Sequence, residues 1–396
     1  WCYCHRCISP DRISDPFFSV IVFLLLFGIY NEDNKKKEVT IMKAIIRREI
    51  LNYLKRPLFW VAIVVVIFGV FQQLNPYLNI HYITSEDELK NEYPETVHEG
   101  EIYEGYIPVS TEEHRKLWEN AIQKSLVSDF GMSNDEAADA IQEMNDMELD
   151  EACRYLEDEY GYYNAEYSWE DTAYRKGTMD EINAYIKEEL EERPFSWYFS
   201  RKFADFAGLF MGFTATILLA VLFMQDMRKN TYELLHTKPI SATQYVIGKA
   251  TGGFLISLLI LGILNLVFWA ACMICTNGND FEIRLTDFLL ATCLYILPNM
   301  LMIVCVYTIT ALLFKNPLPA VPLLFLYMIY SNMGSRNAEG VYGYYGRPLA
   351  IMVRFPGMFF DVTPPPLAMV NQICLLLVSA GIILIGIQLW RRRRIW

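Results

Sequence analysis

The sequence predicts an all-α polytopic membrane protein with six transmembrane helices and a helical extracytoplasmic domain between the first two. Three observations carry this. Six apolar stretches approach or exceed the length of about 20 residues that a membrane helix needs, and their interiors lack Asp, Glu, Lys, Arg and His. Hydrophobic residues make up 53% of the 396, in uninterrupted runs that suit lipid better than a soluble core. The charge is also unevenly placed: of a net −12, 32 acidic against nine basic side chains fall between Asn75 and Ser200, leaving the remainder basic on balance.

Residues 1–41 begin with Trp1, hold a 14-residue apolar run from Phe17 to Tyr30, and end in the charged stretch Asn31 to Glu38. The run is too short for a span and closer to a signal-peptide core. Back-translating Lys37-Glu38-Val39 as AAG-GAG-GTN gives a purine-rich ribosome-binding sequence about eight nucleotides before the Met42 codon, so we expect residues 1–41 to be a non-native leader. Cys2, Cys4, His5 and Cys7 lack a second ligand pair at finger-like spacing, and no metal site is expected there.

From residue 42 to residue 57 the pattern is that of an amphipathic interfacial helix. Ile46, Ile50, Tyr53 and Leu54 share one face, and Lys43, Arg47 and Lys55 point elsewhere. A plain basic anchor that sets topology would use the same residues. The first span follows over 58–74. Residues 75–205 form the acidic outer domain, where Ser110/Glu113, Ser133/Glu136 and Thr178/Glu181 read as capping boxes. We expect about four helices there, with Trp118, Leu126, Leu149, Tyr155, Leu156, Ile182, Tyr185 and Ile186 among the core. Cys153 is its one cysteine, and no calcium-loop pattern occurs, so its acidic residues read as a solvated surface. Phe195, Trp197, Tyr198 and Phe199 with Arg201 and Lys202 read as an interfacial belt.

The second span covers 206–225, with Gly208 and Gly212 as a close-packing face. A cytoplasmic segment, 226–247, leads into the third span at 248–275, whose outer end carries Cys272 and Cys275, read as buried, inert thiols with a redox pair as the alternative. The fourth span is 287–314, broken by Pro298. The fifth, 318–332, is short and crowded by Pro317, Pro319 and Pro322. The outer loop 333–366 is rich in Gly and Tyr. The sixth span, 367–390, ends in the basic tail 391–396.

Basic clusters fix the orientation. Lys43, Arg47, Arg48, Lys55 and Arg56 precede the first span; Arg228, Lys229 and Lys238 follow the second; Lys315 follows the fourth; Arg391 to Arg394 follow the sixth. Six crossings bring all of them to one side, expected to be the cytoplasm, with both termini inside. Arg201, Lys202, Arg284, Arg336, Arg347 and Arg354 fall on the other side, where long loops weigh little.

The segment Asp226 to Lys249 contains a short helical turn, Thr231 to His236, followed by Lys238-Pro239-Ile240. Its apolar side (Leu234, Leu235, Ile240) and polar side suit a partner's groove. The pattern Glu-Leu-Leu-x-Thr-Lys-Pro-Ile-Ser-x-x-x-Tyr-x-x-Gly-Lys, leading directly into a span, resembles the segment after the second helix in permease subunits of type-2 ATP-binding-cassette (ABC) exporters. The wider plan from Met42 onward is similar too. The resemblance implies that Arg228, Lys229, Tyr232, Glu233, Leu234, Leu235, His236, Lys238, Pro239 and Ile240 contact a separate ATPase subunit. It further implies that Arg47, Arg48 and Glu49 lie nearby in a connecting helix, and that the outer loop holds a re-entrant helix around Leu349 to Phe360.

No energy source is legible in the chain itself. At Gly248-Lys249 the position that a phosphate-binding loop reserves for glycine is Thr243, and Ala250 replaces the following Ser or Thr. Ion-coupled carriers need titratable groups at membrane depth, and these spans offer Asn265, Asn299, Asn371 and Gln372 instead. No general base or metal-ligand set is expected, and so no enzyme.

The expected protein is therefore a multi-pass permease of the cell inner (plasma) membrane, without catalytic residues, metal or cofactors of its own. ATP and Mg would be bound by cytoplasmic ABC ATPase subunits. Further partners would be a second permease copy or a related permease and the lipid bilayer, with no nucleic acid. It would move an amphipathic or peptide-like substrate outward by alternating access. An alternative is a membrane-anchored sensor or assembly protein with an acidic ligand-binding outer domain. A third reading, an ion-driven carrier, would require proton or sodium dependence without ATP.

Overall fold

The computed structural model describes residues 35–85, 88, 100–145, 147–163, 165–224, 226, 237, 240–336, 342–343 and 346–393. The readings made for residues 1–34 lie outside these. The chain divides into two compact units, Asn79–Glu192 and the remainder on either side of it in sequence.

In the larger unit, α1 (Lys35–Leu54) begins seven residues before Met42 and stops short of Pro57, which occupies the first position of α2 (Pro57–Leu78). Proline fits that position because its missing N–H has no helical partner there anyway. Pro76 lies in the last turn of α2, so the helix runs past the expected limit at residue 74. Tyr53 on α1 is buried and donates to the carbonyl of Leu218 at 2.8 Å, whereas Ile46, Ile50 and Leu54 are half-buried.

The next helix, α3 (Phe195–Met224), starts about ten residues earlier than expected. Phe195, Tyr198 and Phe199 are packed inside the unit rather than forming an interfacial belt, with Phe195 stacked on Phe281 at 5.3 Å. Phe203 meets Phe268 and Phe288 at 5.4 and 5.6 Å. The compact acidic unit therefore covers 79–192, narrower at both ends than the expected 75–205.

Helix α4 (Ala242–Cys275) opens with a capping box, Ser241 accepting from Gln244 N–H and the Gln244 side chain accepting from Ser241 N–H. Then α5 (Leu285–Ala291), a π-turn (Thr292–Ile296) and α6 (Leu297–Phe314) form one interrupted span. The interruption falls where Pro298 cannot donate to a helical carbonyl. Lys315 closes α6 in the left-handed region, φ 53°. Helix α7 (Ala320–Asn332) follows, and α8 (Ala368–Arg393) packs along α6 and α4.

Five helices are long and apolar enough to cross a membrane: Pro57–Leu78, Phe195–Val221, Ala242–Cys275, Leu285–Phe314 and Ala368–Arg392. The sixth expected span is the 13-residue α7, about 20 Å long at the helical rise and short of a hydrocarbon layer. The expected re-entrant helix at 349–360 is absent. That stretch is irregular yet largely buried, because Pro348, Pro356 and Gly357 interrupt any helical register. On α2, Val61, Val64, Val65 and Phe68 are all more than half exposed, an apolar surface that suits lipid.

The unit Asn79–Glu192 contains five helices among its described residues, one more than expected: α9 (Thr111–Ser128), α10 (Asn134–Met144), α11 (Leu149–Tyr160), α12 (Ala165–Asp171) and α13 (Met179–Glu192). Strands β1 (Tyr106–Pro108) and β2 (Tyr174–Lys176) pair antiparallel. Ser110, Ser133 and Thr178 cap α9, α10 and α13 as the sequence indicates. Trp118, Ile122, Leu126, Ala137, Ala140, Met144, Ala152 and Leu156 make its core, with Leu149 and Tyr155 only half-buried at the edge. Ile182 and Ile186 are buried outside that cluster, and Tyr185 is half-buried. Burial and the nearby Glu166 and Asp150 push the Cys153 thiol up to about 11, so it stays protonated.

Candidate coupling site

Of the residues expected to contact an ATPase, Arg228, Lys229, Tyr232, Glu233, Leu234, Leu235, His236, Lys238 and Pro239 lie outside the described residues. Ile240 is described and packs on a small apolar cluster of Ala242, Tyr245, Val246, Leu312, Ile387 and Trp390. Arg47 and Arg48 are exposed, and Glu49 is buried.

The burial of Glu49 follows from a close approach of α1 to α4. Gly248 and Gly252 are one turn apart on α4, and Cβ atoms there would sit 3.2 Å from Ile45 and 3.1 Å from Glu49. The two glycines let α1 lie against α4 and bring the Glu49 carboxylate to Lys249. The Lys249 ammonium is 2% exposed, 2.8 Å from Glu49 Oε1 and 2.7 Å from Asp226 Oδ2. Tyr245 donates its hydroxyl to the same Asp226 oxygen at 3.2 Å and stacks on Trp390 at 3.9 Å.

A buried ammonium between two carboxylates compensates charge that neither carboxylate could carry alone in a dry site. Mechanically, the cluster ties the surface helix α1 to Asp226 and to the first turns of α4. Asp226 and α4 bracket the segment 227–239. Sequence reading finds Glu49 by analogy and misses Lys249 and Asp226, because an apolarity window discounts charges at its edge. The Gly248-x-x-x-Gly252 spacing was the available signal.

A second set of buried charges lies at the other end of α3. Asp205 accepts from Arg354 Nε and, at 3.0 Å, from Phe355 N–H; Arg354 also donates to Asn332 Oδ1. Lys202 donates to the carbonyls of Phe355, at 3.1 Å, and Gly357. Arg347 donates to the carbonyls of Met333 and Gly334 at 3.0 and 2.7 Å. The bonds from Lys202 and Asp205 satisfy backbone groups of Phe355 and Gly357, and those from Arg347 tie the irregular 346–366 chain to the end of α7. They also correct the expectation of charge-free helices: Arg201, Lys202 and Asp205 lie within the Phe195–Val221 span, and Lys249 within Ala242–Cys275.

Long apolar helices with buried charges toward their ends mark a helical membrane protein whose polar contacts link its elements. A family model described as ABC-2 family transporter protein matches residues 43–340, and the chain belongs to that family. It is a permease subunit of an ABC transporter, a multi-pass membrane component whose ATPase is a separate subunit. No curated protein and no solved structure matches the chain.

Proposed function

We propose that this permease moves an amphipathic or peptide-like substrate outward across the inner membrane by alternating access, driven by ATP hydrolysed with Mg in the partner ATPase. In this reading the short α7 completes six crossings, both termini are cytoplasmic, and the acidic unit Asn79–Glu192 is extracytoplasmic. A second copy or a related permease completes the pathway. The segment 226–247 receives the ATPase through Arg228, Lys229, Tyr232, Glu233, Leu234, Leu235, His236, Lys238, Pro239 and Ile240. Arg47 and Arg48 face the same side from α1.

The observation that carries this reading is the Glu49–Lys249–Asp226 cluster. A push on 227–239 acts on Asp226 at one end and on α4 at the other, and Lys249 passes it to α1. An energetically silent, uniformly apolar junction would slide instead.

The test replaces Glu233, Leu234 and Leu235 together with alanine and measures co-purification of the ATPase and vesicle ATP hydrolysis. Loss of co-purification is expected. Intact ATPase binding would overturn the assignment and favour a membrane-anchored sensor. Separately, Lys249→Met should leave ATPase binding in place and uncouple hydrolysis from transport.

A further inference from the structure

We propose that Gln372 and Asn299, beside the π-turn Thr292–Ile296, form a buried uncharged station that takes up a neutral hydrogen-bonding group of the transported molecule, a secondary amide fitting it best. The inference rests on the permease reading above and specifies the substrate chemistry.

Helices α6 and α8 run parallel in a register fixed by three contacts. The Cys305 thiol donates to Ser379 O at 3.6 Å, Ser379 Oγ donates to Met302 Sδ at 3.5 Å, and Leu312 Cδ1 lies 3.3 Å from a Cβ built on Gly386. Gln372, Leu375 and Ser379 recur at three- and four-residue spacing and are all buried, so Gln372 shares the face that Ser379 turns to α6. The Ser379 pairings are 74 and 77 residues apart, and the same offsets place Gln372 level with residues 295–298. Helix α8 indeed touches the π-turn there.

Among the described residues, Nε2 and Oε1 of Gln372 and Oδ1 of Asn299 are buried without a hydrogen-bond partner, as is Oδ1 of the adjacent Asn371. Asn299 Nδ2 is used, donating to Tyr295 O at 2.6 Å, and Thr292 donates to Asn265 Oδ1 at 3.0 Å. Each unsatisfied buried group costs about 1–3 kcal/mol, so apolar residues of the same size would fold better here. A helix interrupted by a π-turn and a proline is also where irregular geometry most often serves a site. The unpaired atoms of Gln372 and Asn299 supply one donor and two acceptors.

A secondary amide complements the carboxamide of Gln372, giving its N–H to Oε1 and accepting from Nε2. An ion does not fit, because the two carboxamide oxygens are too few to replace its hydration shell. Leu375, Met302 and Ile303 are buried beside the polar atoms and suit the hydrocarbon of an amphiphile.

The test uses the permease with its ATPase in lipid nanodiscs and two probes of equal chain length, N-dodecylacetamide and dodecyl acetate, which differ in the N–H. Thermal unfolding is followed against probe concentration. The amide should act at about tenfold lower concentration than the ester, the worth of one buried hydrogen bond. Gln372→Leu should remove that preference while keeping the unfolding midpoint without probe at or above the parent value, whereas Asn299→Leu, which also loses the Nδ2 bond to Tyr295 O, should lower that midpoint. Gln372→Met serves if the leucine variant does not fold. Equal action of both probes on the parent protein would overturn the proposal. So would a preference that survives all these substitutions, since the orphan atoms would then hold ordered water only. ATP hydrolysis without probe, read on the same samples, reports coupling separately, so a failed permease reading and a failed station give different patterns.

Discussion

Lys249 shows how one side chain can hold several elements. Lys249→Met strands the Glu49 and Asp226 carboxylates in a buried site and should cost about 3–5 kcal/mol, read as a lowered midpoint of thermal unfolding. Tyr245→Phe removes one hydrogen bond to Asp226 and should cost only about 1 kcal/mol. Neutralising both acids in the Lys249→Met background should recover most of the loss; if it does not, the cluster is not the source of the effect. Glu181 offers a contrasting, solvent-exposed case. Its carboxyl is held down to about 2, first by the Arg175 guanidinium and then by the Thr178 backbone N–H and hydroxyl. A depressed folded-state value means the contribution is complete above the ordinary carboxylate range and is lost as the pH falls from about 4.5 through about 2. Comparing the acid unfolding of Glu181→Gln with the parent chain should show a difference that disappears across that window. Capping of this kind is legible from sequence because its partners are three residues apart. The Lys249 cluster is not, since Glu49 and Lys249 are 200 residues apart.

Among the elements, helix starts follow local signals and helix ends follow packing. Ser133 with Glu136 and Thr178 with Glu181 are read as caps in the sequence and stand where they should, and the structure adds Ser241 with Gln244 and Pro57 at the head of α2. Ser241→Ala should cost α4 about 1 kcal/mol. Apolarity alone, however, places the start of α3 too late, because its first turns carry Arg201, Lys202 and Asp205. Lys202 and Asp205 are tolerated because the 346–366 chain supplies carbonyls, a guanidinium and an N–H, and Arg201 because it donates to the Trp197 carbonyl and lies over the Trp197 ring. The approach of α1 to α4 is the most sensitive packing contact. Gly252→Leu would drive a side chain into Glu49 and should detach α1, measurable as faster hydrogen exchange over residues 42–54. Gly252→Ala, with its Cβ 3.1 Å from Glu49, needs a shift of a few tenths of an ångström and should be tolerated. An unchanged exchange pattern in the leucine variant would show that the two helices can separate without loss.

Across the larger unit, two separated sets of buried charges hold the chain at opposite ends of its apolar helices. Asp205→Ala leaves Arg354 and Lys202 without their carboxylate and should expose 346–366 to limited proteolysis, whereas Asp205→Asn keeps the acceptor for Phe355 N–H and should protect it better. The apolar helices and the acidic unit were readable from amino-acid order, because each depends on composition over tens of residues, while the family was readable only through the resemblance of the local pattern Glu233 to Lys249. The anchoring of 346–366 was not, since it rests on pairs some 150 residues apart. Helix α7 has a consequence of its own. As the sixth crossing of the proposed pathway, a cylinder of about 20 Å would fall short of an undisturbed bilayer and of the other spans of 22 to 34 residues, so the lipid around it would pinch inward. Elastic strain in the surrounding leaflets should then favour thin membranes, and reconstitution into lipids of graded acyl-chain length should show turnover falling as the chains lengthen.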